Sequence, residues 1–126
     1  MLISIDPDSK LPIYQQVADT IRELIASGRL TPGQSLPPVR QMATDLGVNL
    51  NTVAAAYRQL RDEGLLTVKH GSRASVAART EVKQKKQDLR KPLRNALTQM
   101  ILAGLLPGDI LGLVNDELRN MVKGTK

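Results

Sequence analysis

Leu36-Pro37-Pro38-Val39-Arg40-Gln41-Met42-Ala43-Thr44-Asp45-Leu46-Gly47-Val48-Asn49-Leu50-Asn51-Thr52-Val53 is the stretch on which the fold turns. Leu36 and the two prolines open a short helix running to about Leu46, because Val39, Met42, Ala43 and Leu46 recur at helical spacing and share one face. Gly47 stops it. After Gly47-Val48-Asn49 a longer helix begins, with Asn49 as a candidate cap, since its side-chain oxygen can accept a free backbone N–H at the helix start. Val53, Ala56, Tyr57 and Leu60 face inward, and Gly64 ends that helix near Asp62 or Glu63.

Upstream, Pro12 sits where a first helical turn tolerates proline. Ile13, Val17, Ile21, Leu24 and Ile25 then mark an amphipathic helix over about 13–27, closed by Ser27-Gly28. Downstream, Leu65–Lys69 and Ala74–Ala77 read as two short strands joined by the tight turn His70-Gly71-Ser72-Arg73. The order of helix, turn, short helix, glycine turn, longer helix and hairpin is that of a winged helix-turn-helix. In such a unit the last helix, about 10–12 Å across, fits a major groove about 12 Å wide, and base reading falls to its amino-terminal end.

Composition changes at Arg79. Glu81–Gln87 is charged and nearly without apolar residues, as in a linker or a solvated helix start. Two amphipathic patterns follow: Leu89, Leu93, Ala96, Leu97, Met100 and Ile101, then Ile110, Leu111, Val114, Leu118, Met121 and Val122, separated by Gly104 and Pro107-Gly108. The expected architecture is mainly α: a winged helix-turn-helix domain with a small β-hairpin wing over 1–78, and a two-helix dimerisation tail over 79–126. Helices this short bury little by themselves, which favours a partner over packing in cis, although periodicity alone does not separate the two.

Composition narrows the function. With 18 Lys and Arg against 12 Asp and Glu, the charge of +6 attracts polyanions. The chain has no cysteine and a single histidine, His70, so thiolate chemistry and multi-histidine metal sites are not expected, nor is any cofactor. Tyr14 and Tyr57 are the sole aromatics, too few for the stacking platforms of single-strand binders, so duplex DNA is the expected ligand. The amino terminus has no signal-peptide pattern and no run reaches the roughly 18 apolar residues of a membrane span, which predicts a soluble, cytoplasmic protein that avoids membranes.

Residues 12–77 resemble the GntR-type bacterial transcription regulators. The resemblance rests on Pro12-Ile13-Tyr14, Leu24-Ile25, Gly28–Gly33, Leu36-Pro37, Val39–Ala43, Leu46–Asn49, Asn51-Thr52-Val53, Ala56-Tyr57, Leu60 and Glu63–Leu66, several linked motifs at fixed spacing. The tail of about 45 residues is similar to that of the short YtrA-type branch, in which it pairs two subunits.

The resemblance implies that Arg40 contacts DNA from the short helix, that Asn49, Asn51 and Thr52 begin the recognition helix, and that His70 and Gly71 form a wing tip near the minor groove. Leu50, Arg58 and Lys69 complete the expected interface. Leu50 and Ala54 stand where many relatives carry arginine, and at Leu50 a thymine methyl replaces guanine as the expected contact. Arg73-Ala74-Ser75 departs from the usual Gly-Thr-aromatic at the end of the wing.

The residue chemistry agrees in kind, since arginine neutralises phosphate and asparagine pairs bidentately with adenine. Each residue also has a plainer reading: Arg40 as a solvated arginine, Asn49 as a cap alone, Asn51 and Thr52 as helix starters, Tyr57 as core, His70 as a surface turn residue. Leu89, Leu93, Leu97, Met100, Ile101, Ile110, Val114 and Leu118 are the expected dimer contacts. The function expected is a sequence-specific regulator, a repressor on a palindromic operator bound as a homodimer. A non-specific architectural DNA protein is the alternative, and an unidentified small-molecule effector stays open as a further partner.

Overall fold

Five apolar side chains at helical spacing make α1 (Ile13–Ala26), but only its middle is sealed: Val17, Ala18 and Ile21 are buried, whereas Ile13 is exposed. A computed structural model describes residues 3–69, 73–78 and 86–122, and all structural statements concern these. After α1 come α2 (Val39–Leu46), α3 (Leu50–Asp62), the strands β1 (Leu66–Lys69) and β2 (Arg73–Val76), then α4 (Lys86–Leu102) and α5 (Pro107–Val122). The described residues divide into two compact units, 3–78 and 86–122. The first is a winged helix-turn-helix.

Its core collects Val17 and Ile21 from α1, Val39 and Met42 from α2, Val53, Ala56, Tyr57 and Leu60 from α3, and Leu66 and Val76 from the hairpin. Leu46, expected on the inner face of α2, is half-buried at its end. The strands pair antiparallel with Leu66 opposite Val76 and Lys69 opposite Arg73, so Arg73 belongs to β2 and not to the turn.

Leu36 corrects the expectation for the start of α2. The helix begins at Val39, and residues 33–36 instead run along the free side of β2. Gly33 and Leu36 donate backbone N–H groups to the carbonyls of Val76 and Ala74 at 2.9 and 2.8 Å, and Val76 donates to Gln34 at 2.8 Å. Ser35 bridges Ser75. The physical reason lies in Pro37 and Pro38: a residue before proline is held extended, and proline has no N–H to give. The hairpin is thereby tied by backbone to the segment that enters α2.

In the second unit α4 carries Pro92 within it, and Ile110 of α5 is buried. Leu97, Met100 and Val114 are half-buried, while Leu89, Leu93, Ile101, Leu111 and Leu118 are exposed. Among the described residues no helix is long and apolar enough to cross a membrane.

Candidate nucleic-acid interface

The turn between α2 and α3 sets the geometry of the site. Gly47 has φ +68°, the left-handed conformation that costs a residue with a side chain roughly 1–2 kcal/mol. In that conformation its N–H reaches the carbonyl of Thr44 at 3.2 Å, the N–H of Val48 reaches Ala43 at 3.0 Å, and α2 closes. Two residues later the chain re-enters a helix. Asn49 has extended backbone, and its Oδ1 accepts the N–H of Asn51 at 2.7 Å, which satisfies a free donor of the first turn of α3.

This cap separates two asparagines that the sequence groups together. The oxygen of Asn49 is engaged by the backbone, whereas the side chain of Asn51 is exposed and makes no hydrogen bond among the described residues. Thr52 is half-buried beside it. Arg58, also exposed, lies seven residues on from Asn51 and so at nearly the same angle around α3, about 10 Å along the axis. Arg40 is exposed on α2 and forms no ion pair among the described residues. It shares an open cleft of about 370 Å³ with Ala43, Thr44, Gly47, Val48 and Leu50.

Tyr57 holds the short helix to the long one. Its ring is buried at 2% exposure, and its hydroxyl donates to the carbonyl of Pro37 at 2.8 Å, just before α2. Burial pushes the phenol well above its ordinary value of 10.0, so it stays a protonated donor. Tyr57→Phe leaves that carbonyl without this partner, and a loss of about 1 kcal/mol in urea unfolding is the expected result. Unchanged stability would mean that solvent replaces the hydroxyl at no cost.

A second clamp ties α1 to the end of α3. Arg22 donates from Nε and Nη2 to the two carboxylate oxygens of Glu63 at 2.8 and 2.7 Å, and from Nη1 to Asp19 at 2.6 Å. The hydrogen bonds from Arg22 hold the Glu63 carboxyl below its ordinary value of 4.5. Folding therefore favours the ionised form, and this contribution is complete above about pH 4.5 and is lost as the pH falls through the lower folded value. The difference in Tm between wild type and Glu63→Gln should be constant near neutrality and shrink in acid. A gap of the same size at every pH would contradict the clamp.

Of the expected interface residues, Arg40 and Leu50 meet at one cleft, Asn49, Asn51 and Thr52 form the first turn of α3, and Arg58 stands two turns further. Lys69 ends β1. His70 and Gly71 lie outside the described residues. One basic residue read from sequence as part of the turn, Arg73, is exposed opposite Lys69 at the turn end of the hairpin. The register of the hairpin was the signal that would have placed it.

Comparisons with known proteins agree with this geometry. Residues 13–76 match the family described as bacterial regulatory proteins, gntR family. The HTH-type transcriptional repressor YtrA of Bacillus subtilis (strain 168) is 32% identical over 130 residues, covering 99% of this chain and 98% of that one. The crystal structure of a transcriptional antiterminator from Listeria monocytogenes EGD-e superposes with a TM-score of 0.86 at 26% identity, covering 97% of this chain and 93% of that one. The DNA-binding domain of AraR, solved in complex with operator ORX1, has a TM-score of 0.52 at 32% identity and covers 59% of this chain and 92% of that one. The chain therefore belongs to the gntR family of bacterial regulatory proteins, in its short YtrA-type branch, and is a DNA-binding transcription regulator, not an enzyme.

Proposed function

We propose that the protein is a cytoplasmic repressor that binds a palindromic operator as a homodimer. The observation that carries this reading is the exposed first turn of α3, where the side chain of Asn51 is unengaged and its neighbour Leu50 shares a cleft with Arg40. Asn51 and Thr52 face base edges, Arg40 and Arg58 meet phosphates, and Asn49 holds the helix start in shape. Lys69 and Arg73, the last pair before the hairpin turn, bring two basic residues to the wing, and the expected DNA contacts of His70 and Gly71 belong to the same reading. The similarity to a domain solved on its operator, and to a relative described as a repressor, supports the same direction.

Dimerisation follows from the tail. Leu89, Leu93, Leu97, Met100 and Ile101 line α4, and Ile110, Val114 and Leu118 line α5, with four of these eight side chains exposed: Leu89, Leu93, Ile101 and Leu118. Apolar surface of this extent is offset by burial against a second copy. A twofold pair presents its recognition helices about 34–36 Å apart or at a multiple of that, so half-sites fall on one face of the duplex. Occupancy there blocks polymerase.

Selection of bound duplexes from a random pool, then titration of the winner against scrambled DNA at two salt concentrations, tests the whole reading. A palindrome preferred by at least about 10³-fold is the expected result. No enrichment, with binding that only fades as salt rises, would instead make this an architectural DNA protein.

A further inference from the structure

We propose that the cleft between α2 and the first turn of α3 seats the 5-methyl group of a pyrimidine in the major groove, with Leu50 as the side chain that reads it. This rests on the reading that α3 enters that groove, and adds which chemical group one position of the site selects.

Leu50 is the first residue of α3 and lies at nearly the same angle as Tyr57, seven residues on, and close to that of Val53. Both of those are buried. Leu50 is 38% exposed and stands outside the core, because the packed layer ends one turn short of it. Its side chain forms one wall of the cleft, with Ala43 and Val48 giving further alkyl surface and the Cα of Gly47 leaving the turn open.

Two of the polar groups beside this wall are held by backbone, and the third, Arg40, lies at the edge of the cleft. Thr44 Oγ1 donates to the Arg40 carbonyl at 3.0 Å, and Asn49 Oδ1 is held by the N–H of Asn51 at 2.7 Å. Arg40 supplies the cationic rim. A base edge pressed against Leu50, Val48 and Ala43 thus meets carbon. An amino or carbonyl group pressed against these three side chains, and not against Arg40, loses water without gaining a partner, which is unfavourable.

Among major-groove edges the one that presents carbon is a pyrimidine carrying a C5 methyl, which is thymine, or cytosine once methylated. Asn51, next along the helix, is free for amide pairing, so the methyl belongs within about one base-pair step (3.4 Å) of the base that Asn51 reads.

The test uses the full chain and the selected operator. Each thymine of one half-site is replaced in turn by deoxyuridine, and separately each cytosine by 5-methylcytosine, and Kd is measured for wild type, Leu50→Ala and Leu50→Met. Removing the read methyl should weaken wild-type binding about fourfold, the worth of one buried methyl, and leave Leu50→Ala indifferent, while Leu50→Met retains most of the dependence. Should the position be a cytosine, 5-methylation should tighten wild-type binding by a similar factor and again not affect Leu50→Ala.

These two arms separate the sources of the methyl group. If Leu50→Ala does not fold, Leu50→Met against Leu50→Gln carries the same comparison. The proposal is overturned if no substitution of either kind changes wild-type binding differently from the polar or truncated variant. Loss of operator preference in wild type, or Arg40→Ala and Asn51→Ala binding as wild type does, would overturn the underlying reading instead.

Discussion

Asn51→Ala is expected to weaken operator binding by about 10-fold to 100-fold per half-site, while binding to scrambled DNA and its salt dependence stay as in wild type. The size is that of one bidentate amide contact to a base, about 1–3 kcal/mol of discrimination. The neighbouring Asn49 provides the control. Its oxygen caps α3 at 2.7 Å, so Asn49→Ala should lower stability by about 1 kcal/mol and reach DNA binding only through the helix start. Equilibrium binding at matched salt, with thermal unfolding of both variants, distinguishes the two roles. Equal operator affinity for Asn51→Ala and wild type would remove Asn51 from the interface.

Leu93→Asp is expected to convert the proposed dimer to a monomer and to reduce operator affinity by about 10²-fold to 10⁴-fold, because the second half-site then loses its effective concentration. Leu93 is 53% exposed in the single chain, so aspartate there should leave the isolated fold intact. Placed against a partner, the carboxylate gives up its hydration without a compensating charge. Sedimentation and circular dichroism read the two halves of this expectation: halved mass and unchanged helicity. Ile101→Asp, at a site 60% exposed on the same helix, should behave alike. A variant that remains dimeric with full affinity would move the contact away from this stripe of α4.

Local chemistry made the centre of the site legible. Gly47 and Asn49 each announce a backbone event within a residue or two, a helix stop and a helix cap, and the structure has both. The inner face of α3 was legible for the same reason: Val53, Ala56, Tyr57 and Leu60 repeat at helical spacing and are buried. Periodicity gives an angle around a helix but not where the packed layer ends. Ile13 and Leu50 both lie on inward stripes, and both are exposed.

Pairing between distant segments was harder to read. Residues 33–36 joined the hairpin where a helix start was expected, although the extended bias before Pro37 was a usable local sign. The Tyr57 hydroxyl finds Pro37, twenty residues away, and no spacing rule connects them. The stripes of α4 and α5 were visible in sequence, but a stripe names no partner.

The backbone bonds that join residues 33–36 to β2 give the protein a ruler. Because Leu36 is fixed to Ala74 and α2 starts three residues later, the distance from Arg40 to the hairpin is held by main-chain hydrogen bonds as well as by side-chain packing. Main chain yields little to a ligand. On a duplex bound as proposed, phosphates under α2 and the groove beneath the hairpin must match a separation that the protein does not adjust. The DNA must do the adjusting, and sequences that reach that groove width at low deformation energy gain affinity at base pairs no side chain touches.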